Sequence, residues 1–307
     1  MRLHHQTPFV ISTALSVHAG RTVGLKMEAL QPSGSFKLRG VGHACETYRA
    51  RGAQRFISSS GGNAGLAVAY AARALGVPAV IVVPETTSDR AQQLLRAEGA
   101  AVIVHGASWQ EANAEAQALI GAADAFIHPF DDPLLWEGHA SMIDEVAAEG
   151  FRPDAVIVSV GGGGLMVGVI RGLQRNGWGD VPVLAVETAG AASLAAAYAA
   201  EERVTLPAIT SLATSLGAKQ VCAEAFDLRH RHAITPVQVT DAQAVTACAR
   251  FLDDHRILVE PACGAGLAVV YDMPERLADF ARVLIIVCGG ATMTAAQLAA
   301  WQQGVPS

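Results

Sequence analysis

Apolar residues in this chain gather in short unbroken runs rather than alternating with polar ones. Residues 79–83, 101–104, 155–160, 183–186 and 283–287 are such runs, rich in valine and isoleucine. Runs of this length and composition predict strands buried on both faces of a parallel sheet. Alanine-rich stretches with helical spacing lie between them, at 64–75, 90–98, 109–120 and 165–174. The alternation predicts an α/β fold with mainly parallel strands. Residues 129–133, Pro-Phe-Asp-Asp-Pro, are the clearest turn-rich interruption. They suggest a crossing between a small domain, 32–130, and a larger one combining 1–31 with 131–307. There is no internal repeat, low-complexity tail or long linker. The short stretch after the Cys288-Gly289-Gly290 turn leads to the expectation of no added regulatory domain.

Three loops carry the candidate chemistry. Residues 32–40 read Pro-Ser-Gly-Ser-Phe-Lys-Leu-Arg-Gly and set Lys37 at the start of a helix. A partly desolvated lysine loses its charge and becomes a nucleophile able to form an imine with an aldehyde; alone, such a lysine is more often a solvated cation. Residues 58–65, Ser-Ser-Ser-Gly-Gly-Asn-Ala-Gly, offer hydroxyls, backbone N–H groups and the Asn63 amide before a helix. That nest suits a carboxylate, and a flexible connection with a Ser or Asn cap is the competing reading. Residues 161–165, four glycines and a leucine, let backbone N–H groups converge on an anion at a helix N-terminus. A dinucleotide site competes here, with Gly162-x-Gly164 as its glycines and Glu187 as its ribose-binding acid. Val167 occupies the third glycine position of that fingerprint, and the loop lies mid-chain, so a phosphate cup is favoured. Cys288 closes the last strong strand, where open α/β sheets bind ligands. An imine-forming lysine, a phosphate cup and a carboxylate nest together match pyridoxal 5'-phosphate holding an α-amino acid.

Composition narrows the setting. The 307 residues are 51% hydrophobic and 16% charged, with a formal charge of -6, which argues against a nucleic-acid surface. Five cysteines, odd in number and without a C-x-x-C pair, fit a reducing compartment. No histidine spacing resembles a transition-metal site. The first nine residues lack a signal-peptide core and no apolar run could span a bilayer. A soluble, cytoplasmic protein is expected.

The chain resembles the pyridoxal-phosphate enzymes of the tryptophan-synthase-β type (fold type II), and within them the liver-type L-serine dehydratases/L-threonine deaminases. The likeness rests on residues 31–40, the two loops, and the segments 76–79, 129–133, 136–140, 177–182, 258–264 and 287–290. Several of these have no obvious catalytic reason, so their joint presence is specific to the family. The resemblance implies two open, mainly parallel sheets flanked by helices, a homodimer and a small amino-acid substrate. The implied reaction is β-elimination: L-serine to pyruvate and ammonia, L-threonine to 2-oxobutanoate and ammonia.

By the same resemblance, Lys37 would bind the cofactor aldehyde and later act as base at the substrate Cα. Phe36 would pack on one face of the pyridine ring and Ser215 would face the other. Gly161, Gly162, Gly163, Gly164 and Leu165 would hold the phosphate, and Asn63 the 3' oxygen. Ser60, Gly61 and Asn63 would bind the substrate carboxylate. Cys288 would sit beside the pyridine nitrogen, where a thiol is a weak partner and no counter-ion. A monovalent cation, usually potassium, would be held by Glu187 with backbone oxygens around Gly161, Ala191, Leu216 and Ala218; a strand-end salt bridge is the plain alternative for Glu187. Two departures stand out. Gly61 replaces the alanine of the liver enzymes, removing a methyl that helps fix the substrate, so Gly61→Ala is expected to raise serine turnover. Ser215 replaces a small apolar residue. These departures keep two alternatives open, a serine racemase and a weakly active dehydratase-like paralogue.

Overall fold

The computed structural model describes residues 2–304, so Met1 and 305–307, the outer ends of the expected large domain, lie outside it. In chain order the elements are β1 (Phe9–Ile11), α1 (Thr13–Ala19), β2 (Thr22–Lys26), α2 (Lys37–Ala50), β3 (Arg55–Ser58), α3 (Asn63–Leu75), β4 (Ala79–Val83) and α4 (Asp89–Ala97). There follow β5 (Ala101–Val104), α5 (Trp109–Ala118), β6 (Asp124–Phe126), α6 (Pro133–Ala148), β7 (Ala155–Ser159), α7 (Gly164–Arg175), β8 (Val183–Thr188) and α8 (Ser193–Ala200). The chain ends with α9 (Ala223–Asp227), β9 (Ile234–Val239), α10 (Asp241–His255), α11 (Pro261–Asp272), β10 (Arg282–Ile286) and α12 (Ala295–Gly304). Short 3-10 turns fill several connections, among them Thr214–Leu216.

The described residues divide into two compact units, 2–5 with 31–139, and 6–30 with 140–304. The first holds a four-stranded sheet in the order β5-β4-β3-β6, with every pair parallel. Ser58 ends β3, so the 58–65 loop leaves that sheet at the carboxyl end of a central strand. The run 101–104 is buried less than its composition suggests. It forms the edge strand β5, and Ile103 and Val104 are 36% and 44% exposed. A strand's own sequence does not say whether a neighbour will cover it.

The second unit holds a six-stranded sheet in the order β1-β2-β10-β7-β8-β9. All its pairs are parallel except β1 with β2. Its central strands β7 and β8 are buried throughout, as uninterrupted apolar runs require. Helix α11 is buried at every position but its last. Gly264 lets α10 approach it, because a Cβ there would overlap the Ala244 carbonyl and stand 2.5 Å from Cys248 Sγ. The helix starts cleanly, with Glu260 in extended backbone at the N-cap and Pro261 next.

Candidate active site

In the first unit, Lys37 is the opening residue of α2. The chain reaches it through a turn in which the Gly34 N–H donates to the Gln31 carbonyl at 2.7 Å, with Gly34 at φ 76°. Lys37 is half-buried. Its Nζ donates to the Pro129 carbonyl at 2.5 Å and stands 5.0 Å from the centre of the Phe36 ring. The other neighbour of Phe36 is His139, its ring centre 5.0 Å away. His139 sits where Gly40 leaves room, since a Cβ on Gly40 would stand 2.6 Å from the imidazole Cε1. Burial first, and then the Lys37 and Arg39 cations, hold the His139 pKa well below the ordinary value, so the ring is neutral. Sequence reasoning passed over His139 and the Pro129 carbonyl, although both lie in segments that carried the family resemblance. The Ser35 hydroxyl is fully buried without a hydrogen-bond partner among the described residues.

The three serines of the carboxylate loop are not equivalent. Ser58 Oγ donates to the Ile127 carbonyl at 3.0 Å and Ser59 Oγ to Asn113 Oδ1 at 2.8 Å, so both tie the loop to its own unit. Ser60 is half-buried and accepts from the Gly62 N–H at 3.3 Å. Asn63 opens α3 and is buried. Gly65 is held so closely under the Ser60 carbonyl that no side chain fits there. At Gly61 a Cβ would stand 2.7 Å from Thr87 Cγ2 and 2.8 Å from Thr87 Oγ1. The place of the missing methyl is therefore overlapped by threonine, a residue the sequence did not single out.

In the second unit, the tetraglycine loop leaves the carboxyl end of β7 and opens α7. Among the described residues, none of the N–H groups of Gly161, Gly162, Gly163 and Gly164 donates to a backbone oxygen. Four uncommitted amides at a helix N-terminus form an anion cradle. Gly163, at φ 93°, is the N-cap, and a Cβ there would overlap Ala225. Leu165 follows in the first turn of α7 and is buried. A Cβ on Gly161 would stand 3.0 Å from Leu216 Cα and 3.2 Å from the Ser215 carbonyl, so the Thr214–Leu216 turn lies against the loop. Ser215 itself is exposed. It lines a cavity of about 70 Å³ together with Glu260, Thr292, Gln297 and Trp301.

Glu187, near the end of β8, accepts from the Leu194 N–H at 2.7 Å and the Ala195 N–H at 2.8 Å. Burial raises its pKa to about 7 against the pull of these amides. It takes part in no salt bridge recorded among the described residues. Ala191 and Leu216 are buried and Ala218 is half-buried. Cys288 follows β10 and is buried. The next two residues, Gly289 and Gly290, have φ of 96° and 145°, and a Cβ on Gly290 would fall 2.5 Å from Glu260 Cδ.

Residues 1–289 match the family model described as "Pyridoxal-phosphate dependent enzyme". The chain belongs to this family. It is 49% identical over 312 residues to the human protein named "L-serine dehydratase/L-threonine deaminase", covering 98% of this chain and 95% of that one. It is 48% identical to human "Serine dehydratase-like", covering 97% and 93%. The solved structure of a fungal L-serine ammonia-lyase from Rhizomucor miehei superposes with a TM-score of 0.94 at 37% identity, covering 99% of both chains. The residues present suit the family's cofactor. The cradle of uncommitted amides answers a phosphate, and the half-buried Lys37 amine answers an aldehyde. No helix among the described residues is long and apolar enough to cross a membrane.

Proposed function

We propose that this protein is a pyridoxal-phosphate-dependent lyase that converts L-serine to pyruvate and ammonia and L-threonine to 2-oxobutanoate and ammonia. The observation that carries the reading is the 49% identity to a named serine dehydratase/threonine deaminase along nearly the whole of both chains. Lys37 would anchor the cofactor and Phe36 would pack on its ring, with Ser215 on the opposite face and Asn63 at its 3' oxygen. Gly161, Gly162, Gly163, Gly164 and Leu165 would hold its phosphate. Bound there, the cofactor supplies an electron sink for charge developing at the substrate Cα.

Ser60, the Gly61 backbone and Asn63 would orient the substrate through its carboxylate. The Lys37 amine would then take the Cα proton as general base. Loss of the β-hydroxyl as water leaves an enamine that hydrolyses to keto acid and ammonia. Cys288, as a neutral thiol, would leave the ring nitrogen without a counter-ion, which suits elimination because the hydroxyl can depart as the proton is removed. Glu187, with backbone oxygens of Gly161, Ala191, Leu216 and Ala218, would hold a monovalent cation, potassium by preference. The protein would act in the cytoplasm as a homodimer, sedimenting at twice 31.9 kDa.

Keto-acid release from L-serine by the cofactor-saturated protein in potassium buffer tests the reaction. Rapid pyruvate formation is expected. Cofactor bound without pyruvate would overturn the reading and favour the dehydratase-like paralogue, for which Gly61 speaks. D-serine as the main product would favour the racemase, for which the exposed Ser215 speaks.

A further inference from the structure

The proposed reaction gives no role to the turn between β6 and α6, although its Pro129-Phe130-Asp131-Asp132-Pro133 segment is the clearest interruption in the sequence. The Ile127 N–H donates to the Ile57 carbonyl at 2.8 Å, which fixes the entry to the turn on β3. At the exit, the Asp132 carboxylate accepts from the Leu134 N–H and from the Tyr48 hydroxyl, each at 2.8 Å. Helix α6 is thereby capped and tied to α2, the helix that Lys37 opens. Trp136 Nε1 donates to the Phe130 carbonyl at 2.8 Å. Between these ties Pro129 brings no N–H, and the next two N–H groups converge on one atom. His128 Nδ1 accepts from Phe130 at 3.2 Å and from Asp131 at 2.8 Å.

We propose that His128 is a positioning residue for the Lys37 amine. This rests on the reading that Lys37 binds the cofactor aldehyde and takes the Cα proton. The Phe130 N–H and the Pro129 carbonyl belong to one planar peptide unit, so fixing the direction of one fixes the other. His128 holds the N–H end, and the carbonyl end receives Lys37 Nζ at 2.5 Å. Hydrogen bonds at both ends polarise the shared peptide and strengthen each other. A neutral amine that donates one N–H to this carbonyl is held in place, with its lone pair left for an aldehyde carbon or a proton. To accept two N–H groups, Nδ1 must be unprotonated, which puts the ring proton on Nε2. Burial first, and then the Lys37 cation, lower the His128 pKa against the opposing pull of Asp131 and Asp132. The imidazole is seated edge-on to Phe126 and Phe130, with ring centres 6.3 and 4.7 Å away. All these residues lie in the first unit.

The test reads imine formation and needs no turnover. Pyridoxal phosphate is added to the full chain freed of cofactor, and the rate at which the lysine imine absorbance appears is compared among variants. His128→Phe keeps a flat ring against Phe126 and Phe130 but removes the acceptor. His128→Ala removes the acceptor with no overpacking. His128→Asn loses the ring yet keeps an oxygen able to accept from the backbone N–H two residues on. Imine formation should be at least about tenfold slower in His128→Phe and His128→Ala, because the amine is no longer held in place. In His128→Asn it should stay close to the wild-type rate. A wild-type rate in His128→Phe or His128→Ala, or a rate in His128→Asn as low as in His128→Ala, would overturn the proposal. Borohydride reduction of the wild-type imine, followed by peptide mass spectrometry, tests the underlying reading separately. The label is expected on Lys37. A label on Lys26 or Lys219, the other lysines of the chain, would withdraw that reading and the proposal with it, whatever the variants show.

Discussion

Replacing Lys37 with alanine removes both the amine that would bind the cofactor aldehyde and the base at the substrate Cα. Lys37→Ala should therefore release no keto acid from serine, and turnover near that of the wild type would exclude this lysine as the reactive residue. Gly61 shows how a neighbour changes a residue-level expectation. Judged by its own position, a methyl there should help fix the substrate. In the structure that methyl would stand 2.7 Å from Thr87 Cγ2. Gly61→Ala should then cost about 1–3 kcal/mol of stability from overpacking, and Thr87→Ala in the same chain, which removes both overlapping atoms, should recover most of it. Urea unfolding of the single and double variants measures this. Equal stability of Gly61→Ala and the wild type would mean that Thr87 turns aside freely, and the gain in turnover would be expected again. For Glu187 the expectation is that potassium raises Tm more than sodium at equal ionic strength, and that Glu187→Gln abolishes the difference. Identical melting in the two salts would remove the cation from this site.

At the scale of elements, the loops were the most legible part of the site, because turn residues punctuate the sequence where strands hand over to helices. Residues 161–165 read as an anion cradle because successive glycines leave backbone N–H groups open at a helix N-terminus. The left-handed Gly163 explains why no side chain is tolerated there. Gly163→Ala should raise the dissociation constant for pyridoxal phosphate at least about tenfold, through a strained φ and a clash with Ala225 that displaces α7 from α9. Equilibrium titration of the cofactor reads this directly, and an unchanged constant would show that the loop does not hold the phosphate. Strand positions were legible wherever an unbroken apolar run marked them, as in β4, β7, β8 and β10. The strands β1 and β6 escaped notice because each is three residues long, and β2 and β9 because glycine, proline and polar residues break their apolar runs. The exposure of β5 was illegible for another reason: sheet order is a property of the pairing, and an edge strand and a central strand can share one composition.

At the scale of the whole molecule, stability should carry the mark of a histidine folded in its neutral form. His139 is 1% exposed with its pKa held well below 6.5 by burial and by nearby cations. As pH falls below 6.5 the unfolded chain gains a proton there that the folded chain refuses, so stability falls. His139→Gln should make the decline of unfolding free energy between pH 6.5 and 5 shallower by up to about 1.4 kcal/mol per pH unit. Parallel curves for the two proteins would mean that His139 does not contribute to acid sensitivity. The sequence alone marked the fold class, a candidate lysine, two candidate anion-binding loops and the cofactor they imply. Each is written in contiguous residues whose backbone and side-chain chemistry act over a few bonds. Tertiary structure alone decided that Thr87 overlaps the place of a side chain at residue 61, that Glu187 caps α8, and that Glu260 packs against Gly290. The first and last of these pairings join residues 26 and 30 positions apart, and the middle one joins closer residues across a turn. Only the packing of whole elements brings their side chains into one dielectric environment.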